Sequence, residues 1–274
     1  MADARWAAAT AAIRVSPAET RANRRRAGAL CAAAGVVPGA VVGLAVALTL
    51  SLVAGAAAGA GVLVVVAVLV WRSAARIALR VLGARPLPEE EAPGLYNTVE
   101  GLCPTFGVRQ PRLMVVDDAV PNACSLGRGA DAVLVVTTGL IDRLGPIELE
   151  GVVGHELTHV KRHDTVVSAV AVTVIGPLAY LIGSDRLLHA AVGRGRELRA
   201  DSVAVASVRY PPGLHDALET LVTTEAALRT SLFAGRRHLM TRWLWVDPTV
   251  GRRLQVDDGD LDSTAVRIAA LAEW

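Results

Sequence analysis

Gly154-His155-Glu156-Leu157-Thr158-His159-Val160-Lys161-Arg162-His163-Asp164, read as GHELTHVKRHD, is the stretch on which the reading of this chain turns. On a helix, His155 and His159 lie four residues apart and project from one face. Two imidazoles so placed can share one tetrahedral Zn2+, with Glu156 beside them as general base. Pro146 and the acids Glu148 and Glu150 just upstream suit a helix N-terminus, which supports the helical reading. The pattern H-E-x-x-H fixes only three positions, so on the pentapeptide alone a chance match and a metal helix stand level. A catalytic zinc needs a third protein ligand, with the fourth position left for water.

Downstream, Arg196-Glu197-Leu198-Arg199-Ala200-Asp201 offers that ligand. Glu197 and Asp201 are again four apart on a predicted helix. Glu197 is placed to ligate, and Asp201 to accept a hydrogen bond from the free ring N–H of a ligand histidine, His155 in our reading. Without the histidines the pair reads as surface charge. Glu225 is a rival acid further on, but Arg229 stands four residues after it where Glu197 has Asp201.

The surroundings of this motif are those of a membrane protein. Mean hydropathy is +0.43, and its source is local: Ala27 to Trp71 is a run of 45 residues with no ionisable side chain but Cys31. About 20 apolar residues cross a bilayer as a helix, so the run suits two crossings and a tight turn near Leu50 to Gly61. A secretory signal, with an apolar stretch of roughly 7–15 residues, fits poorly. Arg14, Arg21 and Arg24 to Arg26 precede the run, and Arg72, Arg76, Arg80 and Arg85 follow it. Both flanks are therefore expected in the cytoplasm, with the large C-terminal domain. The net charge of +2 gives no pull toward nucleic acid. Cys31, Cys103 and Cys124 show no C-x-x-C spacing and read as reduced thiols.

Along the chain, residues 1–26 form a basic tail, either lying on the membrane surface or solvated, and 27–72 the transmembrane hairpin. Residues 73–274 make the catalytic domain. Gly35, Gly39 and Gly43 form a small-residue stripe that packs on the second span or on a partner molecule, or arises by accident in so Gly- and Ala-rich a segment. Pro38 is expected to bend the first span. Strands are predicted at Arg112 to Val116 and Asp131 to Thr137, with a turn and edge strand around Val120 to Ser125. Most of the rest is helical. The fold class is α+β and mostly helical, with a small sheet.

The order of these motifs resembles the HtpX-type membrane metalloproteases, relatives of the CAAX prenyl protease family. They carry H-E-x-x-H on one helix and E-x-x-A-D on a later one, matched here by Glu197, Ala200 and Asp201. Leu95 to Glu100, Pro121-Asn122-Ala123, Thr138 to Ile141 and Glu148 to Glu150 are similar to further parts of the family pattern, and the resemblance runs from the hairpin to about Leu221. It implies a zincin-like domain in the cell membrane, a polypeptide substrate held along the edge strand at Asn122 and Ala123, and cleavage of misfolded or unfolded membrane proteins. Two departures stand out. Cys124 sits where a bulky apolar residue is common and reads as an inert strand cysteine. The family's His-Pro before a terminal Arg-Ile helix is missing, although Arg267-Ile268 remains behind an Asp262-Ser263-Thr264 cap.

One topological condition follows. If the apolar run after Thr165 crossed the membrane once, Glu197 would emerge opposite His155 and no site could form. Residues 165–192 are therefore expected to fold back near Gly176-Pro177, as a re-entrant hairpin or a buried core pair. Asp164 is read as a hydrogen-bonding or capping residue, and His163, His189, His215 and His238 as surface or structural. Tyr210 or His215 is a candidate oxyanion stabiliser, with no choice between them. Asp258, Asp260 and Asp262 alternate like half a calcium loop, but Ser263 and Ala269 stand where its Gly and Glu belong, so no such site is expected. The reading is a zinc endopeptidase. Its rivals are a membrane sensor or scaffold without turnover, and a processing peptidase with one dedicated substrate. Oligomeric state is not legible.

Overall fold

In a computed structural model of the chain, residues 16–223, 231–233, 237–248 and 262–274 are described. Residues 1–15 of the basic tail, Glu225, Asp258 and Asp260 lie outside them.

Two long helices open the structure, α1 (Pro17–Thr49) and α2 (Leu52–Leu82), and both are long and apolar enough to cross a membrane. Ser16 caps α1 by accepting from the Ala18 N–H at 3.2 Å, and Pro17 fills the first helical position, where no N–H is needed. The expected tail is thus, from Pro17 on, the first turns of the spanning helix, and α1 runs unbroken through Pro38. Leu50 and Ser51 alone make the turn, since Ser51 caps α2 through the Ala54 N–H. α2 continues past residue 72 and stops where Gly83 turns left-handed, at φ 69°.

The glycine stripe packs on the second span. A Cβ on Gly39 would meet the Gly59 carbonyl at 2.8 Å, and one on Gly55 would meet the Gly43 carbonyl at 2.5 Å. Only hydrogen fits there, and this lets the two backbones touch. The outward faces stay apolar and exposed, as at Val37, Leu48, Leu52 and Val65.

A four-stranded sheet follows, β1 (Arg85–Pro86), β2 (Arg112–Val116), β3 (Ala123–Leu126) and β4 (Val133–Thr137), in the order β1-β2-β4-β3. β2 and β4 are parallel; β1 and β3 pair antiparallel at the two sides. β3 is an edge strand, as expected. The helix α3 (Pro93–Phe106) lies between β1 and β2 in sequence, and α4 (Thr138–Arg143) follows β4.

The stretch quoted at the outset falls on α5 (Pro146–Arg162), the centre of the domain. Its apolar side, with Val152, Val153 and Leu157, packs on Leu95, Val99 and Phe106 of α3 and on Leu214 and Leu218 of α10 (Pro211–Thr223). A Cβ on Gly151 would lie 2.6 Å from the Leu214 amide nitrogen, so this glycine sets how closely α5 and α10 approach. The remaining helices are α6 (Asp164–Val174), α7 (Gly176–Ile182), α8 (Arg186–Val192), α9 (Arg196–Val208), α11 (Arg237–Thr241) and α12 (Thr264–Ala272).

The apolar segment after Thr165 does return. α6 and α7 meet at a bend of 48°, which is no reversal; the chain turns back at Gly183 to Asp185, and α8 packs against α6 again. α6 is buried from Asp164 to Val172, whereas Leu178, Leu181 and Ile182 of α7 are exposed. The segment is thus a core helix with an apolar tip. Gly176-Pro177 marks the bend rather than the tip.

Candidate metal centre

α5 ends at Arg162 because His163 adopts the left-handed conformation, φ 61°, a state that histidine enters more readily than most side chains. The tight corner starts α6 at once and swings Asp164 back toward the ring of His159. α9 is opened by a different device. Its first turn carries no side-chain cap of its own, and Asp262, from beyond the rest of the domain, accepts from the Gly195 N–H at 2.7 Å and the Glu197 N–H at 2.9 Å. A carboxylate at this end also suits the helix dipole. Glu197 is thereby fixed opposite α5.

Three ligand atoms converge between these helices. His155 Nε2 lies 3.1 Å from Glu197 Oε2 and 3.1 Å from His159 Nε2, and His159 Nε2 lies 3.4 Å from Glu197 Oε2. Ligands held tetrahedrally about 2.0–2.1 Å from a zinc ion stand roughly 3.3 Å apart, so the spacing fits. Every ligand also has its rear atom engaged. His155 Nδ1–H donates to Asp201 Oδ1 at 2.7 Å, His159 Nδ1–H to Asp164 Oδ2 at 3.2 Å, and Glu197 Oε1 accepts from Arg196 Nε at 2.8 Å. Both imidazoles are thus set to offer Nε2 inward.

A further ring of contacts supports these. Arg267 of α12 grips Asp201 in bidentate fashion, Nε to Oδ2 at 2.6 Å and Nη2 to Oδ1 at 2.8 Å, and its Nη1 donates to the Val246 carbonyl. Arg196 reaches Ser168 of α6 and the Trp243 carbonyl, the latter at 2.9 Å. Asn23 of α1 donates to both the Asp164 carboxylate and the Arg162 carbonyl, so the first spanning helix touches the group that orients His159.

The charges follow from this packing. Burial alone would raise Glu197, yet Arg196 and His159 hold its carboxyl well below the ordinary range. Asp201 likewise resists burial because of Arg267 and His155, and is lowered. Burial pulls the His159 ring down, but Glu197 and Asp164 outweigh it and hold it up at about 9, the mark of a site that attracts a cation. Cys124 beside Glu156 is pushed up as well: burial and the glutamate keep it a thiol, in keeping with an inert strand cysteine.

Glu156 is 2% exposed, and its Oε2 has no hydrogen-bond partner among the described residues. An orphaned buried carboxylate oxygen is costly and marks a place where something else is meant to bind. The cluster is closed as well as buried, with His155, Glu156, His159 and Glu197 all between 0 and 4% exposed. The segment from α11 to Pro248 joins this network at the Trp243 and Val246 carbonyls, which accept from Arg196 and Arg267, and it is pinned where Asp185 Oδ2 accepts from Arg242 Nη1 at 2.9 Å and Trp243 Nε1 at 3.1 Å.

This segment changes the picture at the edge strand expected to hold a peptide. The Thr137 N–H donates to Asn122 O, which turns residues 122 and 124 toward β4 and 123 and 125 to the open side. At that side the Ala123 carbonyl already accepts from the Val246 N–H at 2.8 Å, and the Asn122 amide brackets the backbone of Asp247. The outer groups of Asn122 and Ala123 are therefore paired within the chain. Tyr210 and His215 are not joined to the cluster: Tyr210 is 51% exposed, and His215 pairs with Asp216 at 3.0 Å. The oxyanion reading gains no geometric support at either residue.

Residues 89–257 match the sequence profile described as Peptidase family M48. The chain belongs to peptidase family M48. Among its M48 relatives, the protein named Protease HtpX homolog of Dictyoglomus thermophilum is 34% identical over 185 residues, 55% of this chain and 61% of the relative. That of Dictyoglomus turgidum is 30% identical over 211 residues, 64% of this chain and 67% of the relative. In Nostoc punctiforme the protein of that name is 41% identical over 118 residues, 43% and 41% of the two chains. The chain thus spans from about two fifths to two thirds of these relatives. The HtpX-type resemblance seen in the motifs is borne out, as is the mostly helical fold with two apolar N-terminal helices and a small sheet. No solved structure matches it.

Sequence reasoning missed Arg196, Arg267 and Asp262 as parts of this M48 centre. Arg267 had a signal, as the surviving Arg-Ile of the terminal helix. Asp262 was legible only as part of the cap before the terminal helix and of a rejected calcium loop.

Proposed function

We propose that this protein is a membrane-bound zinc endopeptidase whose catalytic domain faces the cytoplasm and which cuts unfolded or misfolded membrane proteins. The observation that carries the reading is the convergence of His155 Nε2, His159 Nε2 and Glu197 Oε2 beside the unpartnered Glu156 Oε2. When bound by these three residues, Zn2+ supplies Lewis acidity to a peptide carbonyl and to water. Glu156 then takes the proton of the attacking water and hands it to the leaving amine. Asp201 and Asp164 fix the ring tautomers, and Arg196 keeps Glu197 Oε2 turned inward. The peptide lies extended along the outer side of β3, using the Ser125 end, where the Ser125 hydroxyl touches the Glu156 carbonyl at 3.3 Å. Because the cluster is closed, we take the segment from α11 to Pro248 as the cover that moves aside for a peptide to enter.

The orientation rests on charge. Arg24, Arg25 and Arg26 of α1 and Arg72, Arg76 and Arg80 of α2 flank the same end of the helix pair, and the Leu50-Ser51 turn at the other end carries none. The apolar tip of α7 dips into the same leaflet.

The test is cleavage of unfolded casein by the detergent-purified protein with added zinc, beside Glu156→Gln, with bound zinc counted in both. Zinc in both proteins and cleavage by the wild type alone is the expected result. Zinc in both with no cleavage by either supports the sensor or scaffold instead. The closed cover favours one narrower reading, a processing peptidase opened by a dedicated substrate; cutting of several unrelated unfolded polypeptides excludes it.

A further inference from the structure

A cavity of about 870 Å3 lies between the ends of α1 and α2 nearest the catalytic domain and that domain itself, away from the metal cluster. One part of its wall is apolar, with Ala67 and Val68 of α2 facing Val166 and Val170 of α6. The other part is basic. Arg72, Arg76, Arg112 and Arg128 line it, against Asp131 as the one acid, and none of the four arginines enters an ion pair among the described residues. Between the two parts stands Trp71, with the Arg128 guanidinium 5.0 Å above its ring.

The order of these features along α2 is informative. Exposed Val64, Val65, Val68 and Leu69 give way to Trp71 and then to Arg72 and Arg76. That sequence of apolar, indole and cation is the passage from hydrocarbon to headgroup depth. The cavity straddles it, with an apolar floor at acyl-chain level and a cationic mouth at phosphate level. A soluble anion meets only the mouth, and a neutral lipid gains nothing from three uncompensated positive charges. A molecule that uses both parts has an acyl chain joined to a negative headgroup.

We propose that this cavity is a binding site for one anionic phospholipid, its phosphate held by Arg72, Arg76 and Arg128 and a chain laid against Ala67, Val68 and Val166. Basic pockets of this kind beside spanning helices recognise anionic headgroups. The proposal rests on α1 and α2 crossing the bilayer and not on proteolysis. Its occupant touches α6, the helix whose first residue, Asp164, orients His159.

The full chain in neutral detergent, observed by native mass spectrometry, tests this with phosphatidylglycerol, phosphatidylcholine and sn-glycerol 3-phosphate as probes. Phosphatidylglycerol is expected to stay bound at roughly 10- to 30-fold lower concentration than phosphatidylcholine. Arg72→Gln/Arg128→Gln is expected to erase that preference, and Val68→Trp to weaken both lipids by crowding the floor. Arg109→Gln/Arg143→Gln, the same loss of charge at exposed arginines that do not line the cavity, is expected to keep it. Should the first double variant fail to fold, Arg128→Gln alone is expected to halve the preference or more. Equal retention of the two lipids overturns the proposal. So does a preference that survives Arg72→Gln/Arg128→Gln, and so does glycerol phosphate bound as tightly as the lipid.

Discussion

Replacing Arg267 by Met is the perturbation most diagnostic of how this site is held. The side chain is fully buried, and it carries two charge-assisted hydrogen bonds to Asp201 and one to the Val246 carbonyl. Met fills much of the volume but leaves a buried carboxylate and a buried carbonyl unpaired. Removing one member of a buried pair costs about 3–5 kcal/mol. For a domain of this size, each kcal/mol lowers Tm by roughly 2–4 °C, so a fall of about 6–20 °C is expected. Burial then drives the freed Asp201 carboxyl upward. A carboxylate with a depressed native pKa stabilises the fold above its unfolded value, and the gain is lost as pH falls through the native one. In Arg267→Met the carboxyl is raised instead, so it takes up a proton more readily in the fold than in the unfolded chain, and the deficit against the wild type shrinks as pH drops from 7 toward 5. Thermal unfolding in detergent at both pH values is the assay. Arg267→Met/Asp201→Asn is expected to recover part of the Tm, because no charge is left alone, while zinc affinity stays low because His155 has lost its carboxylate. A single variant within 1 kcal/mol of the wild type at pH 7 would refute the reasoning.

Three other outcomes are expected. Asn23→Ala removes the contact from α1 to Asp164 and should weaken zinc binding up to about tenfold in chelator competition, less than the roughly 10–100-fold for Asp164→Ala. Burial and Arg242 lower His238 to about 4, so it stays neutral in the fold; stability falls by roughly 3 kcal/mol as pH drops from about 6.5 to about 4, and His238→Phe removes that part of the slope in denaturant titrations at several pH values. Asp185→Ala frees Arg242 and Trp243 and loosens the cover, so a chelator should strip zinc several-fold faster than from the wild type.

What could be read from the sequence is what periodicity and spacing encode. Ala27 to Trp71 announced two crossings because no charge interrupts it. His155, His159, Glu197 and Asp201 announced themselves because i, i+4 pairs on helices share a face. β2 and β4 followed from short β-branched runs between turn residues, and the edge strand β3 from the turn residues Pro121-Asn122 before it. The rest depends on contacts between distant segments, which leave no local mark. Nothing near Arg267 says that its partner lies 66 residues earlier, and nothing near Val246 says that it pairs with Ala123. Asn23 sits in a run of arginines and reads as solvated, yet its amide reaches Asp164. The reversal was misplaced because Gly-Pro is the stronger local breaker; the chain turns instead where Gly183 is left-handed and α8 can return to α6.

The reliance of α9 on Asp262, and of Asp201 on Arg267, has a consequence for biosynthesis. A chain grows from its N-terminus and folds as it emerges, so α1, α2 and the H-E-x-x-H helix are made and placed first. At that stage α9 has no cap on its first turn, and Asp201 is an isolated carboxylate with every reason to avoid the interior. The cluster closes only after the residues from 262 to 267 have left the ribosome and docked. A nascent molecule therefore passes through insertion into the bilayer without a working blade, and arms itself last.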